Sequence, residues 1–366
     1  MKIDTELDAL RARSDELGRK VRQEIVKNYC GQDERPWIVT FSGGKDSTLV
    51  SQLVFEALLE VPPSRRDRPV HVLSSDTQVE TPYIVDFVRQ NLKLMEGAAT
   101  SLGLPLSTNL VVPEVNDTYW VRVVGYGYPP PSRFMRWCTD RLKIKPANKF
   151  VLDTISRHGE VVLLLGARYE ESQERAKSLR RHEASGGFHR HSTLPNAYVW
   201  APIRHFAIDE VWSYLVFNPS PWGGDNIELR DLYKNANAGE CTLVMDETTE
   251  PCGNSRFGCY TCTVVDRDRS LEGFVMGGQE QYQELVDLRN WLVEIRDNHD
   301  YREAYRRNGQ PGVGPLKMEV RRRLFDRILD IQGRLGEELI SGAEIAAIRQ
   351  AWLTETLEEE VLETPA

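Results

Sequence analysis

No apolar run in this sequence approaches the ~20 residues that an α-helix needs to cross a bilayer. The opening residues, Met-Lys-Ile-Asp-Thr-Glu, are charged and lack the apolar core of a secretory signal. A cytoplasmic location with no membrane attachment is the expectation. Positive charge is also short. The chain has 46 Lys and Arg against 55 Asp and Glu, a net charge of −9. That balance argues against a protein that coats nucleic acid nonspecifically, although it leaves room for a local basic site. Cysteine is sparse, six in 366 residues. In a reducing compartment such cysteines are metal ligands or reactive thiols sooner than disulfides. There is no internal repeat. What is present fits a globular chain with a core: 40% hydrophobic and 28% charged residues, enough for one large domain or two modest ones.

The most informative stretch is Ser42-Gly43-Gly44-Lys45-Asp46-Ser47-Thr48. It follows the strand-like run Trp37–Phe41 and opens a helix-like run from Leu49 to Leu58. Two glycines let the backbone bend sharply and approach a ligand. Ser42, Ser47 and Thr48 add hydroxyls, and the helix N-terminus points free N–H groups into the turn. Strand, Gly-rich turn and helix in that order make an anion cradle suited to pyrophosphate. A Walker-type loop needs four residues between its first Gly and Gly-Lys-Ser/Thr, and here Gly43 and Gly44 are adjacent.

Other elements follow from spacing. Leu7, Leu10, Leu17, Val21 and Ile25 predict an amphipathic helix over 4–29, broken at 31–36. Strands are expected at 69–75, 109–112 and 161–165, and Pro82 is placed to start a helix. Strands alternating with helices imply α/β architecture with a doubly wound parallel sheet. In such sheets ligands sit beyond the carboxyl ends of the strands. Ser42–Thr48, Asp76-Thr77 and Gly166-Ala167-Arg168 all fall there. Residues 185–197 read as a mobile loop, 209–215 as a helix, and 216–262, rich in Gly, Pro, Asn and Cys, as a fold around a metal. From about 271 the chain reads as mostly helical. Ser341-Gly342-Ala343-Glu344 has the form of a capping box, and Glu358-Glu359-Glu360 reads as frayed surface.

Cys241, Cys252, Cys259 and Cys262 are separated by ten, six and two residues. Four thiolates can complete a tetrahedral zinc site or hold an iron–sulfur cluster. Zinc ribbons usually show two Cys-x-x-Cys pairs; the single pair here tilts towards iron–sulfur and leaves zinc open. Cys138 stands apart, in Arg136-Trp137-Cys138-Thr139-Asp140-Arg141-Leu142-Lys143. Its basic neighbours are expected to lower the thiol pKa and populate a nucleophile able to carry sulfur; a buried small hydrophobe beside Trp137 is the alternative. Cys30 reads as structural. Two basic stretches stand out, Arg133–Lys149 and Arg175–His191, each of which would ordinarily be a solvated face.

Taken together, these markers resemble the phosphoadenylylsulfate-reductase-like branch of the ATP pyrophosphatases. They are Ser42–Thr48, Asp76-Thr77-x-x-Glu80-Thr81, Cys138–Pro146, Gly166-x-Arg168-x-x-Glu171-Ser172-x-x-Arg175 and Asp209-x-Val211-Trp212-x-Tyr214. Longer strings resemble the DndC-type sulfurtransferases of bacterial DNA phosphorothioation: Arg136–Pro146, Pro221-Trp222-Gly223, Gly239-Glu240-Cys241 and Ser255–Val265. The resemblance covers residues 20–310 and fades beyond Cys262, where many relatives continue further.

The resemblance implies the adenine-nucleotide α-hydrolase fold. The expected organisation is an N-terminal helix (1–30), an ATP pyrophosphatase domain (31–215), a cluster-binding region (216–270) and a helical C-terminal region (271–366). It also implies a [4Fe-4S] cluster held by Cys241, Cys252, Cys259 and Cys262. ATP, with Mg²⁺, is split to AMP and pyrophosphate. DNA is the acceptor, a cysteine desulfurase the sulfur donor, and other proteins of the same system the partners. Nucleotide contacts are expected from Ser42, Gly43, Gly44, Lys45, Asp46, Ser47, Thr48, Asp76, Thr77 and Gly166. Catalytic roles fall to Lys45, Asp46, Arg168 and Cys138. Lys45 offsets phosphate charge. Asp46 holds either the loop's own N–H groups or metal. Arg168 steadies the phosphate under attack or pairs with Glu170 or Glu171. Residues 133–149, with Arg141 and Lys143, are the expected DNA contact.

Two other enzyme classes remain in view. Phosphoadenylylsulfate and adenylylsulfate reductases use a cysteine near the C-terminus, and this sequence has none after Cys262. The iron–sulfur type also uses an adjacent Cys-Cys pair, where Cys138-Thr139 stands here. The tRNA-thiolating pyrophosphatases share the phosphate loop but have a different cysteine arrangement. A scaffold with a dead nucleotide site and a structural zinc is the non-enzymatic reading, and the intact Ser42–Thr48 loop argues against it.

Overall fold

A computed structural model of the chain describes residues 2–31, 33–171, 173–182, 188–236 and 258–363. Six short segments form strands β1 (Trp37–Thr40), β2 (Val70–Ser75), β3 (Leu106–Val111), β4 (Val161–Leu164), β5 (His189–Arg190) and β6 (Ala197–Trp200), with β1, β2 and β4 the most apolar. They make one sheet in the order β3-β2-β1-β4-β6-β5. All pairings are parallel except the edge pair β5–β6. The architecture is α/β, a doubly wound and mostly parallel sheet with a helical C-terminal part.

Helices α1 (Lys2–Tyr29), α2 (Lys45–Glu60), α3 (Pro82–Ser101), α4 (Lys145–His158), α5 (Gln173–His182), α6 (Ile208–Phe217) and α7 (Asn226–Ala236) accompany the sheet. Then come α8 (Arg269–Met276), α9 (Gln283–Asp297), α10 (Met318–Leu335) and α11 (Gly342–Glu363). No helix among the described residues is long and apolar enough to cross a membrane.

The described chain forms two compact units that interleave in sequence. The sheet unit comprises Met1–Ser75, Tyr83–Val111 and Ala147–Phe257. The helical unit comprises Asp76–Pro82, Val112–Pro146 and Gly258–Ala366.

In the sheet unit both faces are covered, as parallel strands require. Ile38, Leu73, Leu163 and Val199 pack with Val151, Val161, Leu194 and Ala197 on one side. Trp37, on the strand's other side, meets the rings of Tyr29 at 5.5 Å and Trp200 at 5.7 Å. Helix α1 docks through Ser14, Gly18, Val21, Ile25 and Tyr29, all buried at helical spacing. The expected ridge used Leu7, Leu10 and Leu17, which are only half-buried. The buried ridge instead uses small residues at its start, and Ser14 Oγ lies 3.0 Å from Ser213 Oγ of α6. Arg22 ties α1 to α2 through Glu56 at 3.1 Å and Glu60 at 2.8 Å.

Two local expectations change, and the structure describes only part of a third. Within 185–197, residues 188–197 carry β5 and the start of β6, because Ala197-Tyr198-Val199-Trp200 is a short β-branched and aromatic run. Within 216–262, Asn226–Ala236 is helical, while 237–257 lies outside the described residues. The acidic stretch 358–360 continues α11, which runs to Glu363. The capping box of α11 is present. Ser341 N donates to Glu344 Oε2 at 2.9 Å, and Glu344 N donates to Ser341 Oγ at 3.3 Å.

Candidate functional site

In the sheet unit, β1 ends at Thr40 and the chain turns through Ser42–Gly44 into α2. Gly43 has φ +71°, the left-handed region that favours glycine. Gly44 is the N-cap of α2 and has no side chain to cap that helix, so its first N–H groups, apart from that of Lys45, face the turn. The loop is braced from within. Ser42 N donates to Ser47 Oγ at 3.1 Å, and Ser47 Oγ donates to Gly44 O at 2.9 Å. The backbone N–H of Lys45 donates to the hydroxyl of Tyr233 at 3.2 Å.

Charge is concentrated here. Lys45 is buried, with its ammonium 3.3 Å from Asp46 and 5.1 Å over the Tyr233 ring. Arg168, 3% exposed, donates from Nε to Asp46 Oδ1 at 2.6 Å and from Nη1 to Phe206 O at 3.3 Å. Asp46 therefore answers Arg168 and Lys45, where the sequence suggested loop N–H groups or metal. Arg168 takes Asp46, a partner the sequence did not suggest. Among the described residues, two buried cations share one carboxylate, which leaves a surplus of positive charge. Buried unbalanced charge is costly, and an anion in the turn offsets it. Thr48 Oγ1 is buried with no hydrogen-bond partner, a second feature that a phosphate oxygen would complete.

Two supporting residues have different signals. A Cβ on Gly166 would stand 2.9 Å from Asp46 C and 3.0 Å from Ser47 N. Gly166 thus lets the chain after β4 press against the loop's backbone. Tyr233, on α7, was missed: nothing in its local sequence marks it, and only the fold brings it to Lys45. Burial pushes its hydroxyl pKa up, while Lys45 opposes the rise.

In the helical unit, thiols gather around a turn of their own. Cys259 and Cys262 sit on one turn, with Cys262 N donating to Cys259 O at 2.9 Å. Cys259 forms a β-bridge with Glu80, and Tyr260 N donates to Val79 O at 2.9 Å. Thr77 Oγ1 lies 3.3 Å from Cys259 Sγ, and Glu80 Oε1 lies 4.0 Å from it. Asp76 Oδ1 accepts from Gln78 N at 2.8 Å, and Gln78 has φ +63°. Asp76 and Thr77, expected near nucleotide, are thus placed in the turn that packs on Cys259. Arg289 of α9 fixes the other side, donating to Cys262 O at 3.0 Å and Asp266 O at 2.9 Å. Arg289 is 3% exposed and was not foreseen, since a buried arginine on an amphipathic helix has no local marker.

Cys138 overturns one expectation. Its thiol pKa is raised, not lowered: burial pushes it up, and Cys262 adds to the rise. Three of the basic neighbours are already committed. Arg141 pairs with Asp117, Lys145 reaches Asp117 at 3.2 Å, and Lys143 lies 3.8 Å from Glu80. Burial, followed by Glu80, pushes the Cys259 thiol up to about 12. The Glu80 carboxyl is raised by its own burial. Lys143 is raised, chiefly by Cys259. Cys138 is also the N-cap of a π-helical turn, Thr139–Ile144, a rare geometry that is frequent at functional sites.

Cys259 and Cys262 present two thiols on one turn and fit one edge of a four-cysteine cluster site. A metal would convert both half-buried thiols to thiolates. Cys241 and Cys252, the other two expected ligands, lie outside the described residues. Among the described residues no group of three or more His, Cys, Asp or Glu closes a metal site alone.

Asp117 organises the wall beside Cys138. It accepts from Arg122 at 2.5 Å and from Lys145 at 3.2 Å, and pairs with Arg141. Burial works to raise its carboxyl, but the hydrogen bonds from Lys145, Arg122 and Arg141 outweigh it and hold the pKa below the usual range. A depressed folded-state value stabilises above the unfolded value of about 3.9 and is lost as pH falls through the folded one. Asp117→Asn should therefore cost about 1–3 kcal/mol at pH 7. The cost should shrink below about pH 4. Urea unfolding of both proteins across that range checks it, and an equal difference at every pH would contradict the pairing.

The family model for the phosphoadenosine phosphosulfate reductase domain matches residues 36–265. The chain belongs to that family. An uncharacterized protein of Methanocaldococcus jannaschii is 24% identical over 286 residues, covering 78% of this chain and 47% of that protein. The chain thus spans about half the length of that relative. Among solved structures, the phosphoadenylyl-sulfate reductase of Candida auris, in a phosphate complex, is 16% identical. That match covers 60% of this chain and 90% of the other, with a TM-score of 0.38. The U34-tRNA thiolase NcsA of Methanococcus maripaludis, with its [4Fe-4S] cluster, is 14% identical, covering 76% and 80% at a TM-score of 0.34. The family match spans both the cradle and the Cys259–Cys262 turn.

Proposed function

We propose that this member of the reductase-domain family is an ATP-dependent sulfurtransferase that replaces a non-bridging oxygen of a DNA backbone phosphate by sulfur. One observation carries it. A cradle with surplus buried cations and an unsatisfied Thr48 hydroxyl occurs in the same chain as a set of half-buried thiols. The DNA acceptor rests on the likeness of Arg136–Pro146 and Ser255–Val265 to phosphorothioation enzymes.

A non-bridging phosphate oxygen is a very poor leaving group. Attack of that oxygen on the α-phosphorus of ATP joins it to AMP and expels pyrophosphate. The chain's residues supply the charge: Lys45 and the α2 N-terminus meet the β and γ phosphates, and Mg²⁺ carried in with the nucleotide would offset more of their charge. Arg168 stabilises the phosphate under attack.

A persulfide on Cys138, delivered by a cysteine desulfurase, then attacks the DNA phosphorus through its terminal sulfur. The phosphorus–oxygen bond to AMP breaks, and AMP leaves. A thiol reductant opens the remaining sulfur–sulfur bond, forms a disulfide with Cys138 Sγ and releases the thiophosphate with the electron pair. A second thiol regenerates Cys138. A cluster would be held by Cys241, Cys252, Cys259 and Cys262, and when bound it would supply an alternative carrier for sulfur. The work is placed in the cytoplasm, with other proteins of the system as partners.

The test is product analysis. Incubated with ATP, Mg²⁺, DNA and a desulfurase, the protein should yield AMP and pyrophosphate in equal amounts, and Lys45→Met should lower that turnover at least ~100-fold. ADP and phosphate as products, or no turnover with the partners present, would contradict the proposal and favour a scaffold.

A further inference from the structure

The side chain of Phe134 is fully exposed, at 102% of its reference area, the highest of the large hydrophobic residues among those described. It tops a closed turn. Ser132 N donates to Met135 O at 3.1 Å, Met135 N to Ser132 O at 3.2 Å, and Met135 N also to Ser132 Oγ at 3.1 Å. The turn is pinned at both ends within the helical unit. Before it, Pro131 O accepts from Thr263 Oγ1 at 2.5 Å. After it, Trp137 Nε1 donates to Pro129 O at 3.0 Å, and the Trp137 ring stacks on buried Tyr119 at 5.6 Å. An apolar ring held in water by a braced support, with Pro129-Pro130-Pro131 leading into it, is unlike a collapsed loop.

We propose that the Ser132–Met135 turn is an insertion wedge, which places Phe134 into the base stack of the DNA beside the phosphate to be modified. The inference rests on DNA being the acceptor. Charge selects the occupant. Arg133 and Arg136 flank the wedge and are exposed. Arg133's partner, Asp266 at 3.1 Å, is itself 89% exposed, so that pair is weak and can yield to a phosphate. Apolar wedges between cations are how proteins unstack a base step, whereas a protein partner needs roughly 800 Å² per side, far more than the Phe134–Met135 tip offers. Arg141 and Lys143, first expected to meet DNA, are engaged by Asp117 and Glu80, which shifts the contact to this turn. Phe134 lies four residues before Cys138, a reach of at most ~14 Å. Insertion there would splay the backbone near the thiol.

The experiment uses the full chain with duplex and single-stranded oligonucleotides carrying 2-aminopurine at each position in turn. End-label anisotropy reads binding, and 2-aminopurine emission reads unstacking. Wild type should raise emission at one step. Phe134→Ala should lose that rise at saturating protein and bind about tenfold more weakly, with the salt slope unchanged because no phosphate contact is lost. Phe134→Trp should restore the rise. Arg136→Gln should instead reduce the salt slope. An unchanged emission rise in Phe134→Ala would overturn the wedge while leaving the acceptor intact. So would failure of iodide to quench the added indole of Phe134→Trp before DNA is present, since the chain itself would then cover the tip. Loss of a co-purifying protein with emission unchanged would assign the tip to protein docking and also overturn it. Failure of wild type to bind any DNA would overturn the acceptor itself.

Discussion

Gly43→Ala should lower turnover of ATP to AMP by about two orders of magnitude, because it displaces the loop that receives phosphate. Two effects combine. A left-handed φ of +71° costs a residue with a Cβ about 1–2 kcal/mol. The new methyl would also stand 2.6 Å from Val88 Cγ2 of α3, so loop or helix must shift. Gly103→Ala is the matched control. Gly103 has φ +61°, but its Cβ would meet open space. That variant should lose comparable stability and keep its turnover. Equal turnover in the two variants would show that loop placement is not what limits the reaction. Thermal unfolding alongside product analysis separates the two contributions.

Cys138→Ser should abolish sulfur incorporation, by at least ~100-fold, while leaving ATP turnover and any iron content in place. A serine oxygen cannot carry a persulfide. The raised thiol pKa sharpens the expectation, because burial makes Cys138 a poor spontaneous nucleophile. Its reactivity would have to come from the persulfide, whose terminal sulfur ionises more readily than a thiol. Alkylation of resting Cys138 at pH 7 should accordingly be slow. Normal DNA modification in Cys138→Ser would remove the carrier role and shift it to the cluster ligands.

The cradle was legible because its chemistry is local. Ser42–Thr48 needs no long-range partner to declare a turn between strand and helix, and β1, β2 and β4 were legible as apolar runs. Strand β3 was placed late, at 109–112, because its polar Ser107, Thr108 and Asn109 suit an edge strand and hide the pattern; it runs Leu106–Val111. Edge positions weaken such signals generally. What sequence could not show is who answers each charge. Arg168 and Asp46 are 122 residues apart, and Asp117 collects Arg122, Arg141 and Lys145. The basic run around Cys138 therefore looks like a thiolate-stabilising field in sequence, but Arg141, Lys143 and Lys145 are spent on carboxylates. Tyr233 and Arg289 were invisible for the same reason. The cluster reading turns on Cys241 and Cys252, which lie outside the described residues.

The most direct measurement is mass spectrometry of nuclease-digested DNA. The cells would carry this chain, a cysteine desulfurase and the other proteins of a phosphorothioation system. The proposed function predicts phosphorothioate-linked dinucleotides with the wild-type chain and none with Lys45→Met. Absence of those dinucleotides, with thiolated nucleosides in tRNA or sulfite released from phosphoadenylylsulfate instead, would contradict it.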